Sequence, residues 1–126
     1  MKIMAVDDSN TMLMIAKKAL TDFGYSDLVL CESGEKALDS LEEQKVDLIL
    51  LDWHMPGLTG LDFLRIVKNS DHTKNIPVIM LTTEDHPLSI QTAKDSGADG
   101  YIIKPINAES FQDAVGKISE KYGLQL

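Results

Sequence analysis

Disulfide chemistry is the first thing this sequence lacks. Cys31 is its single cysteine, so neither an internal disulfide nor a Cys-based zinc site can form. Also missing are a basic and then apolar leader at Met1 to Ala5 and any apolar stretch near the ~18 to 20 residues of a membrane span. Runs such as Leu48 to Leu51 have only the length of a buried strand. These absences predict a cytoplasmic protein with no membrane insertion. Positive charge is scarce too: twelve Lys and Arg face twenty Asp and Glu, and the formal charge of -8 repels nucleic acid phosphates and anionic lipid. A nucleic acid partner is not expected. With 126 residues, 44% of them apolar, the chain reads as one domain over 1–126. A chain of this length buries roughly two-thirds of its unfolded surface, which is enough for one core without a structural metal.

Short apolar runs alternate five times with segments of 3.6-residue periodicity. Lys2 to Val6 reads as a strand, followed by a helix with Met12, Ile15, Ala16, Ala19, Leu20 and Phe23 inward and Gly24 at its end. Leu28 to Cys31 leads through Ser33-Gly34 into a helix carrying Ala37, Leu38 and Leu41. Val46 to Leu51 precedes a loop with Pro56, Gly57 and Gly60, then a helix carrying Leu61, Leu64 and Val67. Pro77 to Leu81 leads into a helix with Asp85 as N-cap, Pro87 in its first turn and Gly97 beyond its end. Tyr101 to Ile103 is followed by Lys104-Pro105 and a last helix with Phe111, Val115 and Ile118 inward. His72 and His86 read as solvated loop residues, and Met4, Met12, Met14, Met55 and Met80 as gap-filling core or rim.

Strands that are apolar nearly throughout belong to a parallel sheet covered by helices on both faces. The fold class is therefore α/β, a doubly wound (βα)5 sheet in three layers, and strand order 2-1-3-4-5 suits the length. Such sheets build their sites outside the carboxyl ends of the strands, where the winding reverses, here between strands 1 and 3. The residues at those ends are Asp7 and Asp8 after strand 1, Asp52 after strand 3, Thr82 after strand 4 and Lys104 after strand 5. Clustered carboxylates repel one another, and a hard divalent cation such as Mg²⁺ relieves this without Cys or His ligands. A carboxylate beside Mg²⁺, an ammonium and a hydroxyl is a set suited to attack on phosphorus, giving an aspartyl phosphate.

The distributed set Asp7-Asp8, Asp52-Trp53-His54-Met55-Pro56 with Gly60, Thr82 and Lys104-Pro105 resembles the response-regulator receiver domains of two-component signalling. The resemblance runs from Lys2 to about Tyr122 and is to the stand-alone CheY type with its flavodoxin-like fold. It implies that Asp52 is the phosphoacceptor and that Asp7, Asp8, Asp52 and the His54 backbone carbonyl hold Mg²⁺. Lys104 and Thr82 would contact the phosphoryl group, and Tyr101 would be the switch aromatic that reshapes the face of the fourth helix, fifth strand and fifth helix. The implied partners are a histidine kinase as phosphodonor, a protein target on that face, and a phosphatase, for a monomer in chemotaxis whose only chemistry is self-phosphorylation and autodephosphorylation. A cis Lys104-Pro105 peptide belongs to the same resemblance.

Two positions depart from the family's usual pattern. Thr83 is β-branched and could narrow access to the phosphate, and His54 stands two after the acceptor; together they point to a longer phosphate lifetime. Trp53 reads as a phosphodonor contact or a cover for the site. Competing functions are a phosphorelay shuttle or phosphate sink, a haloacid-dehalogenase-like Mg²⁺-dependent phosphohydrolase, and a flavodoxin-like FMN protein. The hydrolase signature wants a second Asp where His54 stands, and Asp7-Asp8 would repel the phosphate of FMN.

Overall fold

The four residues Leu48-Ile-Leu-Leu51 have buried side chains throughout, which a strand permits only with a helical layer on each face. In the computed structural model, which describes residues 1–123, such segments form five parallel strands: β1 (Ile3–Val6), β2 (Leu28–Cys31), β3 (Leu48–Leu51), β4 (Val78–Thr82) and β5 (Gly100–Ile103). Their spatial order is β2-β1-β3-β4-β5, the doubly wound arrangement expected from the sequence. The last three residues of the expected 1–126 domain lie outside the described residues.

Alternate strand side chains feed two separate cores. Met4, Val6, Ile49, Leu51, Val78 and Met80 face α2 (Gly34–Glu43), α3 (Gly60–Lys68) and α4 (Pro87–Asp95). Ile3, Leu48, Leu50, Ile79, Leu81 and Ile102 face α1 (Asn10–Asp22) and α5 (Ala108–Tyr122). On this second side Phe111 stacks on Phe23 and meets Tyr25 edge-on, both with centroids 5.6 Å apart. Cys31 closes β2, buried, and that burial raises its thiol pKa against the pull of Lys36.

Helix α1 departs from expectation. Met12 and Ile15 are 37% and 48% exposed, while Leu13, Ala16 and Leu20 carry the packing. Because α1 shares its side of the sheet with α5, only a narrow stripe is covered. Met12 and Ile15 instead line an apolar groove of about 280 Å³ with Leu81, Pro105 and Ile106. The N-cap of α4 is a second correction: it is His86, not Asp85, and the imidazole Nδ1 accepts the Leu88 N–H at 3.1 Å. Pro87 occupies the first helical position, so the cap must be the residue just before it.

The amino end of the sheet is tied by a buried ammonium. Lys68 Nζ donates to Ile76 O at 2.8 Å and to Asp99 Oδ2 at 2.9 Å, and the same oxygen accepts the Val78 N–H. The Tyr122 hydroxyl donates to Asp99 Oδ1 at 2.8 Å, which brings in the end of α5. Burial alone would raise the Asp99 pKa, but the Lys68, Val78 and Tyr122 hydrogen bonds outweigh it and hold the carboxyl below its ordinary value. A depressed carboxyl contributes stability above the unfolded-state pKa of ~3.9 and loses it as the pH falls through the folded-state value. Asp99→Asn is expected to cost about 3 kcal/mol in urea melts at pH 7, since it strands a mostly buried ammonium. The gap from wild type should narrow below about pH 4.

Candidate functional site

Register builds the site. Val6 pairs with Leu51 across β1 and β3, so the next residues, Asp7 and Asp52, emerge side by side at the carboxyl edge. The Asp52 N–H donates to Val6 O at 3.0 Å, and the Asp7 N–H donates to Cys31 O at 3.1 Å. Asp7 Oδ1 accepts the Ser9 N–H at 2.9 Å, and Ser9 caps α1 through the Met12 N–H. Asp7 therefore turns the chain toward α1 without being its cap. Asp8 stands exposed on the rim, and carboxylate oxygens of Asp7, Asp8 and Asp52 lie within 4.8 Å of one another.

Lys104 reaches this cluster from the end of β5. Its Nζ lies 2.6 Å from Asp7 Oδ2 and 3.6 Å from Asp52 Oδ2, in a setting where all three side chains are largely buried. The Lys104 N–H donates to Thr82 O at 2.9 Å, which extends the β4–β5 pairing to the base of the lysine. The peptide that follows, Lys104-Pro105, is cis. Thr82 closes β4 fully buried. Burial raises the Asp52 pKa most, and the Asp7 charge adds to it. The Thr82 hydroxyl, the Lys104 ammonium and the His54 backbone N–H oppose the rise without cancelling it.

The β3–α3 loop wraps the other side. Gly57, at φ +73°, turns it in the left-handed region, and the Gly60 N–H returns to Trp53 O at 3.0 Å. A Cβ at Gly60 would overlap the Asp52 carbonyl oxygen, so only glycine lets α3 start this close to the end of β3. Trp53, His54, Met55, Pro56 and Asp8 line a recess of about 410 Å³ beside the carboxylates. Thr83 lies on the opposite flank, in the groove it shares with Met12 and Lys104.

Glu84 is a residue at the mouth of the site that the sequence did not single out. Its Oε1 lies 3.1 Å from His54 Nε2, which links the loops after β3 and β4 across the mouth of the site. Its carbonyl accepts the Tyr101 hydroxyl at 2.7 Å, so Tyr101, half-buried on β5, is tied to the loop after Thr82. Burial pushes the Tyr101 phenol up to about 12, with the Glu84, Asp52 and Asp85 charges adding to the effect. The bond therefore persists across the whole physiological range. Glu84 lacked a sequence signal because its partners come from three separate segments.

All residues expected at the site are thus brought to one edge of the sheet: Asp7, Asp8, Asp52, Thr82 and Lys104 at the centre, with His54 and Tyr101 on the flank. Three carboxylates against one ammonium leave the pocket two charges from neutrality, and its donors are all oxygens, which fits a hard divalent cation.

An α/β sheet with an acidic pocket at its switch point and a lysine bridging into it defines a class of phosphoryl-handling signalling domain. The family model for the response regulator receiver domain matches residues 3–116, and the chain belongs to that family. It is 38% identical to the chemotaxis protein CheY of Pseudomonas aeruginosa over 121 residues, spanning 96% of this chain and 98% of that one. It is 36% identical to chemotaxis protein CheY-3 of Vibrio cholerae, spanning 96% and 93% of the two chains. Among solved structures, Vibrio cholerae chemotaxis protein CheY4 superposes with a TM-score of 0.83 at 33% identity, covering 93% of this chain and 97% of that one. The bacteriophytochrome response regulator AtBRR superposes with a TM-score of 0.84 at 27% identity, covering 94% and 91%.

Gly60→Ala is expected to destabilise the fold by about 2 kcal/mol, because α3 must shift away from the Asp52 carbonyl to make room. Urea denaturation measures the cost, and a change below about 0.5 kcal/mol would refute the tight approach.

Proposed function

We propose that this receiver is a Mg²⁺-dependent phosphoacceptor that takes a phosphoryl group from a histidine kinase onto Asp52. The observation that carries the reading is the meeting of Asp7, Asp8 and Asp52 within 4.8 Å, with the Lys104 ammonium at 2.6 Å from the first of them. Asp7, Asp8, Asp52 and the His54 carbonyl would hold the ion, which when bound neutralises phosphoryl oxygens and draws the reactants together.

Asp52 attacks phosphorus through a carboxylate oxygen. The O–P bond forms as the P–N bond of the donor phosphohistidine breaks, and its electron pair leaves with the imidazole. Lys104 shifts its ammonium from Asp7 toward a phosphoryl oxygen, and the Thr82 hydroxyl donates to another. The new group carries close to two negative charges and three acceptor oxygens, enough to draw Thr82 inward. Movement of Thr82 is felt by Tyr101, because the Tyr101 hydroxyl holds the carbonyl of Glu84 two residues further on. The face of α4, β5 and α5 then changes shape for a downstream protein. Water attack on the aspartyl phosphate resets it, with a phosphatase as a further partner. His54 and Thr83 flank the approach of that water and lengthen the phosphate lifetime.

Chemotaxis is the pathway this reading favours, since the CheY proteins that it resembles are matched along nearly their whole length. A phosphorelay shuttle or phosphate sink uses the same chemistry with other partners. The same reading makes it a cytoplasmic monomer acting between a kinase and its target. No described helix is long and apolar enough to cross a membrane.

Intact mass after incubation with acetyl phosphate tests the proposal. The expected outcome is a single phosphoryl adduct that requires Mg²⁺, is absent from Asp52→Asn and falls at least tenfold in Lys104→Ala. An adduct retained in Asp52→Asn would move the acceptor elsewhere. Beryllofluoride, which does not depend on turnover, separates failure to react from rapid loss of phosphate.

A further inference from the structure

Three consecutive hydrogen bonds climb the loop from β4 to α4, each joining a side chain to the backbone N–H two residues ahead. Thr82 Oγ1 accepts from the Glu84 N–H at 3.2 Å, Glu84 Oε2 accepts from the His86 N–H at 3.2 Å, and His86 Nδ1 accepts from the Leu88 N–H at 3.1 Å. Each link fixes the residue that supplies the next acceptor, so the buried hydroxyl of Thr82 is connected to the first turn of α4. The last link differs from the other two. A hydroxyl and a carboxylate accept hydrogen bonds at any pH near neutral, whereas Nδ1 accepts only while the ring is neutral, with its proton on Nε2.

We propose that His86 is a proton-sensitive clasp on α4: its neutral imidazole caps the helix and completes the relay from Thr82, and protonation of Nδ1 uncaps the helix and frees its first turn. Two effects act in the same direction. Protonation removes the lone pair that satisfies the Leu88 N–H, and it places a cation at the positive end of the helix dipole. The charged and titratable groups around His86 are Glu84 and Asp85 on its own loop, with His54 from the β3–α3 loop and Tyr101 from β5 both bound to Glu84. The His86 imidazole caps the α4 N-terminus through the Leu88 N–H, and the Glu84 carboxylate bonds the Ser89 side chain in the same turn. Helix α4 has few other anchors: Ala93 is its one buried residue, and Leu88 is 72% exposed. With so little burial, its first turn relies on these polar contacts from the loop after β4.

The device would let acidification loosen the α4 face without phosphorylation. It is tested on the unphosphorylated full chain, so failure of the clasp and failure of phosphoryl transfer are read separately. Amide hydrogen exchange by NMR, corrected for the intrinsic pH dependence of exchange, follows Leu88 and Ile90, whose N–H groups bond the His86 imidazole and carbonyl, between about pH 7.5 and 5.5. Wild type is expected to lose about tenfold protection at both amides on acidification, as the loss of a cap plus an opposed dipole implies. His86→Asn, whose side chain caps without titrating, should hold its protection constant, and His86→Asp should behave in the same way. His54→Gln should still lose it. Equal losses in wild type and His86→Asn, or no loss in wild type, would overturn the proposal. Loss abolished by His54→Gln would overturn it as well, by assigning the effect to the His54–Glu84 pair.

Discussion

Like charge held at close quarters is the constraint on which the rest of this structure depends. The pairing of β1 with β3 sets Asp7 beside Asp52 whatever their side chains prefer, and Asp8 follows on the rim. Burial deepens the repulsion, as the raised Asp52 pKa reports. The fold answers with a single ammonium, and Lys104 is placed for it by the backbone bond to Thr82 and by the pairing of β4 with β5. Much of the sheet's carboxyl edge can be understood as scaffolding for that one counter-charge. What Lys104 leaves unbalanced is the attraction the pocket offers to a cation and then to a phosphoryl group.

The two ends of the sheet solve opposite problems. At the amino end, Lys68 and Asp99 form a nearly satisfied pair: the ammonium has a carboxylate and backbone carbonyls, and each carboxylate oxygen has donors. Such a pair costs much to break and gains little from rearranging. At the carboxyl end the polar groups are closer together but less balanced, with Lys104 shared between two acids. The balanced pair sits at the amino end of the sheet, and the unbalanced charge at the carboxyl end.

The fold was legible because its signals are collective. Buried parallel strands read as continuous apolar runs, and the helix stripes of α2 and α5 landed as the spacing implied, with Ala37, Leu41, Phe111, Val115 and Ile118 all buried. Residues at strand ends were legible for the same reason, since doubly wound topology sends them to one edge. Helix α1 was misread because periodicity fixes a stripe but not its width or phase; a helix that shares its side of the sheet buries less than its apolar residues suggest. The cap of α4 was misread because Asp is the commoner cap, although Pro87 at the first helical position pointed to His86. Glu84 and the Lys68–Asp99–Tyr122 cluster were invisible, because side chains that meet from distant segments leave no spacing to read.

The position of Cys31 carries a practical consequence. The chain's lone thiol sits inside the β2 end of the sheet, shielded from solvent and held in its protonated form. Maleimide and iodoacetamide reagents, which need an accessible thiolate, will find almost nothing to modify in the folded wild type. A cysteine introduced on the surface of α4 or α5 would then be the sole labelling point. Fluorophores or spin labels could report motion of that face from the natural background, with no need to remove Cys31 and disturb the packing around it.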